Sequence, residues 1–275
     1  MNRFTVLADI ASRTMLATAG SPRTVAGAVA LDTVKLAGVR SEVRSLPKWG
    51  VCTFDEAAFA VDLIASQATA VSIVSINRDT DAWRQFLLDA DVLHNAIIVT
   101  SRKVAGWAKP ANLLKFILLG SACAAATGHA LGSDRRARIV GATGSQIIEC
   151  ATVCDKEVEG KENLEVFESF WSMQRIPTSR LAKAGFELIS NEVSVTTEQL
   201  EPGLMLADYA AGLGLAAATE DPGTTPLPLD QATAAQLLAP LRSQGKLVVI
   251  EEDFDYSYSE IFKDVMDKAR ELADA

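Results

Sequence analysis

The beginning of the chain has the pattern of two strands that are buried on both faces. Residues 3–10 read RFTVLADI, and both alternating faces of this segment are largely apolar. A turn-prone stretch with Gly, Ser and Pro follows it. Residues 24–31 read TVAGAVAL, which predicts a second strand antiparallel to the first. The first strand carries Asp9 close to its end.

The rest of the chain alternates between helical and extended periodicity, which favours an α/β fold. A segment with three prolines, residues 221–228, predicts a linker. We therefore expect a core over residues 1–220 and a C-terminal α/β extension over residues 221–275. Further strands or extended segments are predicted at 38–46, 68–76, 146–155, 186–195 and 246–250, and helices at 54–67, 80–94, 110–131, 162–174, 203–219, between the linker and residue 246, and from 259 onward.

Composition is that of a folded protein, and the charge balance limits the kinds of partner. Hydrophobic residues make up 49% of the chain and charged residues 22%. The net charge of -9 does not favour a protein that grips long nucleic acids by backbone electrostatics alone. It is compatible with a nuclease that uses bound cations, because metal ions supply positive charge locally.

The cysteines, histidines and apolar segments indicate the compartment and the type of metal. The four cysteines form no C-x-x-C pair and no secretory signal pattern is visible, so we expect free thiols in the cytoplasm. Only two histidines are present, which makes a zinc site improbable. The most apolar stretch, residues 116–131, is short and interrupted by polar residues. It predicts a buried helix and no membrane span.

Three acids stand inside or at the end of apolar segments, where a carboxylate needs a partner or a metal ion. Asp9 and Asp155 each finish an apolar strand, and Asp208 lies within the apolar helix LMLADYAAGLG. Structural roles also fit each of them. Asp9 can cap the following turn, Asp155 can begin a charged loop, and Asp208 can be satisfied by a neighbouring donor.

Taken in order, five segments resemble a known family, the domain-of-unknown-function family thirty-eight hundred, whose members are RNase H-like nucleases of bacteria and mobile elements. Order and spacing agree over residues 3–215. The segment around Asp208 is the most specific of the five. The segments are VLAD (6–9), VAGAVAL (25–31), Glu42-Val43-Arg44, TVCD (152–155) and LMLADYAAG (204–212).

The resemblance implies an RNase H-like mixed sheet flanked by helices, with metal-dependent hydrolysis of phosphodiester bonds in nucleic acid. It implies Asp9, Asp155 and Asp208 as ligands of Mg²⁺ or Mn²⁺, with Glu42 as a fourth catalytic acid. In such a site, two divalent ions about 3.5–4 Å apart activate a water and stabilise the leaving oxygen.

Other interpretations remain open from the sequence. The family's usual Glu-Ser-Gly after the first Asp is replaced by Ile10-Ala11-Ser12, which favours a catalytically degenerate binding module in a defence or mobile-element system. Glu42 can equally form a surface ion-pair ladder with Arg40 and Arg44. A third interpretation is a nucleotide-binding oxidoreductase, through the glycine-rich turn at 138–145, although the third glycine of the dinucleotide motif is missing. The apolar C-terminal strand is compatible with a homodimer.

Overall fold

A computed structural model of the chain describes residues 2–11, 23–88, 110–138, 146–156, 186–219 and 227–255. Within them, six strands form one mixed sheet. The strands are β1 (Asn2–Ala11), β2 (Arg23–Asp32), β3 (Ala68–Asn77), β4 (Gln146–Asp155), β5 (Phe186–Thr196) and β6 (Leu247–Asp253).

Helices flank both faces of this sheet. The second helix begins with a capping box, in which Thr53 and Glu56 satisfy each other's backbone N–H groups. The helices are α1 (Leu36–Glu42), α2 (Phe54–Gln67), α3 (81–88), α4 (Pro110–Arg138), α5 (Leu204–Ala218) and α6 (Gln231–Ser243).

The strand order is β5-β4-β1-β2-β3-β6. Strands β1, β2 and β3 are antiparallel neighbours, whereas β4 lies parallel to β1 and β5 parallel to β4. The arrangement is the α/β fold that the sequence pattern predicts, with the RNase H-like mixed sheet that the resemblance implies. The carboxyl ends of β1, β4 and β5 therefore meet at one edge of the sheet, and the side chains that close these strands become neighbours.

Two apolar cores cover the two faces. Helix α4 packs on one face, and α1, α2, α5 and α6 pack on the other. Among the described residues, one helix is long and apolar enough to cross a membrane, Leu114–Gly132 in α4, and 61% of that stretch is buried. It packs against β1, β2 and β3, which confirms the predicted core helix at this position.

The backbone of α5 packs directly on the sheet at Gly27. A Cβ atom at this glycine would lie 2.4 Å from the backbone nitrogen of Ala211 and 2.9 Å from the carbonyl oxygen of Ala207. Gly27 is also the register partner of Asp9 across the β1–β2 pair. The missing side chain thus brings α5 close to the part of β1 that carries Asp9.

The segment 38–46 is helical, so the prediction of a strand there is wrong. Val39 and Val43 are four residues apart, a spacing that places them on one face of a helix as well as on one face of a strand. Both are buried, and the helical turn lets them pack together on the core.

The other predicted helices and strands that fall in the described residues are confirmed, with small shifts at their ends. The C-terminal region joins the same sheet, because β6 pairs with β3 and α6 packs on α2 and α5. The predicted helices at 162–174 and from 259 onward lie outside the described residues, as do residues 89–94 of the helix predicted at 80–94 and residues 221–226 of the predicted linker.

We predict that Gly27→Ala destabilises the fold by about 2–3 kcal/mol, because the added methyl group meets backbone atoms that cannot rotate away. Gly38→Ala is the matched control. A Cβ atom added at Gly38, in α1, would have no neighbouring atom within 4 Å, so alanine should stabilise the helix by about 0.5–1 kcal/mol. Urea unfolding of both variants checks this. Equal stability of Gly27→Ala and wild type would contradict the close packing.

Candidate metal centre

Three carboxylates converge at the shared edge of β1, β4 and β5. Asp9 lies near the end of β1, Asp155 is the last residue of β4, and Glu198 lies in the turn after β5. One carboxylate oxygen of each lies within 4.8 Å of the other two. Asp9 is 3% exposed, Asp155 is 9% exposed and the Glu198 side chain is 14% exposed. These are partly dehydrated charges held together by the fold.

Strand register explains why the two aspartates are neighbours. Ala8 pairs with Cys154, which pairs in turn with Val195, so the next residues along the strands form the next row. Ala8 and Cys154 face the α4 core. Because side chains alternate along a strand, Asp9 and Asp155 both point to the face that α5 covers.

Like charges at this distance repel strongly unless positive charge lies among them. Two carboxylates about 4 Å apart repel by about 4 kcal/mol at an effective dielectric constant of about 20. The backbone N–H of Ile10 donates a hydrogen bond to Oδ1 of Asp9 at 2.6 Å. This hydrogen bond stabilises the Asp9 carboxylate, and a cation bound among the three carboxylates would offset their mutual repulsion.

Lys48 supplies positive charge at the cluster. Its Nζ lies 2.5 Å from Oε1 of Glu198, an oxygen that is itself buried. The contact with Glu198 raises the pKa of Lys48, burial opposes the rise, and the charges of Asp155 and Asp208 add to it. Lys48 therefore stays protonated at neutral pH and faces three acids.

The loop that carries Lys48 is bound to α5 on both sides of the lysine. The Tyr209 hydroxyl donates to the carbonyl oxygen of Pro47 at 2.9 Å, and the Trp49 backbone N–H donates to Oδ2 of Asp208 at 2.8 Å. The Trp49 ring lies against Gly212, where a Cβ would be 2.2 Å from the indole. These contacts hold the main chain of residues 47–49 in place beside the cluster.

The structure separates the four acids that the sequence singles out. Asp9 and Asp155 lie together as expected. Asp208 is near Lys48, but it lies outside the group of three close carboxylates, and one of its oxygens accepts the Trp49 N–H. Glu42 is exposed at the end of α1, and it too lies outside this group.

The predicted surface ladder around Glu42 is also different in the structure. Arg40 forms a bidentate ion pair with Glu201, which is 6% exposed and lies just before α5. Glu201 also accepts the backbone N–H of Gly203 at 3.1 Å. The Arg40–Glu201 pair thus ties α1 to the start of α5.

Sequence reasoning missed Glu198 and Lys48. Glu198 stands in the polar segment TTEQLEP, two residues beyond the end of β5. The signal that could have found it is its place after the third parallel strand, since the ends of parallel neighbours meet at one edge. Lys48 carries no comparable local signal, because it lies between strands and helices in a short loop.

Other reactive side chains in the described residues have structural surroundings. All four cysteines are buried, and burial raises the pKa of Cys52 and of Cys150 to about 11, so these two thiols are protonated at neutral pH. His129 Nε2 lies 2.7 Å from the carbonyl oxygen of Gly245 and ties α4 to the turn before β6. Of the glycine-rich turn at 138–145 in the oxidoreductase interpretation, residues 139–145 lie outside the described residues.

The donor set suits a hard divalent cation. Three carboxylates offer only oxygen, which Mg²⁺ and Mn²⁺ prefer, and no cysteine or histidine joins this group of close ligand atoms in the described part of the chain. Mg²⁺ keeps several waters, so a few protein oxygens are enough to hold it. The residues present therefore fit the ion that the family resemblance implies.

Comparison with protein-family models and with curated protein sequences finds no match to this chain.

We predict that Asp208→Ala destabilises the protein by about 1.5–3 kcal/mol, because it removes a charged acceptor from the Trp49 N–H. Asp208→Asn, which keeps an oxygen acceptor, should lose less. The matched control is Asp62→Ala, an exposed aspartate of α2. Urea unfolding compares the three variants, and equal losses for Asp208→Ala and Asp62→Ala would show that Asp208 does not anchor the loop.

Proposed function

We propose that this chain is a nuclease that depends on Mg²⁺ or Mn²⁺ and hydrolyses phosphodiester bonds in nucleic acid in the cytoplasm. The observation that carries the proposal is the convergence of Asp9, Asp155 and Glu198 at the shared end of three parallel strands. Carboxylates from non-adjacent segments on an RNase H-like sheet are the arrangement expected for cation-assisted phosphodiester hydrolysis.

In this proposal each residue has a defined task. Asp9, Asp155 and Glu198 hold the ion. When bound, it lowers the pKa of a water and stabilises charge on the leaving oxygen. Asp208 keeps the Lys48 loop beside the cluster through the Trp49 N–H, so it acts by positioning. In this proposal Glu198 takes the ligand position that the sequence resemblance gave to Asp208.

A second candidate function is a catalytically degenerate binding module. The observation that favours it is the ion pair between Lys48 and Glu198, because an internal ammonium offsets the charge of the cluster without a metal ion. The absence of Glu-Ser-Gly after Asp9 points the same way. The two candidates differ in whether the cluster binds a divalent cation.

We predict that Mn²⁺ raises the melting temperature of the wild type by about 5–10 °C at a concentration 100 times its Kd, because ligand binding to the native state adds about 2.7 kcal/mol. Asp9→Asn and Asp155→Asn should lose most of this rise. Asp62→Asn, an exposed aspartate away from the cluster, should keep it. Absence of a Mn²⁺ effect on the wild type would favour the degenerate module.

The same protein variants are then assayed for cleavage of nucleic acid. Short labelled single-stranded DNA, duplex DNA, RNA and RNA–DNA hybrid serve as substrates with Mn²⁺ or Mg²⁺. We expect the wild type and Asp62→Asn to cleave at least one of them, and Asp9→Asn and Asp155→Asn to be at least about 100-fold slower. Equal cleavage by wild type and Asp9→Asn would mean that the activity belongs to a contaminating nuclease.

A further inference from the structure

The candidate metal centre already contains a cation of the chain itself. Lys48 Nζ lies 2.5 Å from Glu198, and the charges of Asp155 and Asp208 also act on it. Glu198 is one of the three carboxylates whose oxygens lie close enough to share an ion. The ammonium therefore binds the same carboxylate group, that of Glu198, that a divalent ion at this cluster needs.

The main chain and the side chain of Lys48 differ in how freely they can move. Its main chain is held between Pro47 and Trp49, both of which are hydrogen-bonded to α5. Its side chain is 65% exposed, so the ammonium can rotate into solvent without moving the loop. The loop thus holds the main chain of Lys48 beside the cluster. The flexible side chain allows the ammonium to move away from Glu198.

We infer that Lys48 is a tethered counter-ion that competes with the divalent cation for Glu198 and so sets the affinity of the site. This inference rests on the proposed metal site and adds how that site is regulated. With no ion bound, Lys48 offsets the repulsion among Asp9, Asp155 and Glu198. Binding of the ion displaces the ammonium from Glu198, and the work of breaking this ion pair weakens the apparent affinity.

The experiment measures Mn²⁺ binding directly, by calorimetry and by the electron paramagnetic resonance signal of free Mn²⁺. Wild type is compared with Lys48→Met and Lys48→Gln, which remove the charge and keep a side chain of similar length. The matched control is Lys156→Met, because Lys156 is exposed and directly follows Asp155. It removes the same charge close to the cluster along the chain without touching the Lys48–Glu198 pair.

We expect both Lys48 variants to bind Mn²⁺ about fivefold more tightly than wild type, the size expected when a partly exposed ion pair no longer has to be broken. Lys156→Met should change the affinity by less than about twofold. Binding by the Lys48 variants where wild type shows none would support the inference equally. Urea unfolding verifies that each variant is folded.

The opposite results separate the two proposals. Wild-type affinity in both Lys48 variants, with binding lost in Asp155→Asn, would leave the metal site standing and overturn the role of Lys48. An equal gain in Lys156→Met would also overturn it, because net charge alone would then explain the effect. No Mn²⁺ binding by wild type or by any lysine variant would overturn the metal site and this inference together.

Discussion

The parallel alignment of β1, β4 and β5 forces acidic side chains into one place. In the register of β1 and β4, Asp9 lies beside Asp155. Because side chains alternate along a strand, both point to the face that α5 covers. Such a pair is unfavourable unless hydrogen bonds and positive charge offset the repulsion. The surroundings of these strand ends supply both, through the Ile10 N–H at Asp9 and the ammonium of Lys48 beside Asp155 and Glu198.

Helix α5 connects this electrostatic arrangement to the packing of the core. Its backbone can approach β2 because Gly27 has no side chain, and it carries Asp208 and Tyr209 toward the Lys48 loop. Most of α5 is buried, so its position is determined by apolar contacts rather than by the charges at the edge. The apolar core thus positions the loop of residues 47–49, and this loop positions the ammonium of Lys48.

The sequence was sufficient for much of the fold, because long apolar strands and helices have clear periods. It singled out Asp9 and Asp155 as candidate ligands for the same reason, since each closes an apolar strand. The strand predicted at 38–46 was wrong because the spacing of Val39 and Val43 suits a helix as well as a strand.

Glu198 and Lys48 depend on tertiary structure. Both stand in short polar segments, where a charged residue is most often solvated. Only the order of the strands and the packing of α5 bring them to the cluster. Asp208 shows the reverse case. Its place in an apolar helix suggested a metal ligand. In the structure, one of its oxygens accepts the backbone N–H of Trp49. Local patterns reveal buried acids more readily than they reveal what each acid contacts.

The most direct test of the metal centre is the anomalous scattering of Mn²⁺ in crystals of the wild-type protein. We expect a peak between the carboxylates of Asp9, Asp155 and Glu198, with the Lys48 ammonium turned away from Glu198. A peak elsewhere, or no peak in crystals that hold Mn²⁺ at saturating concentration, would contradict it.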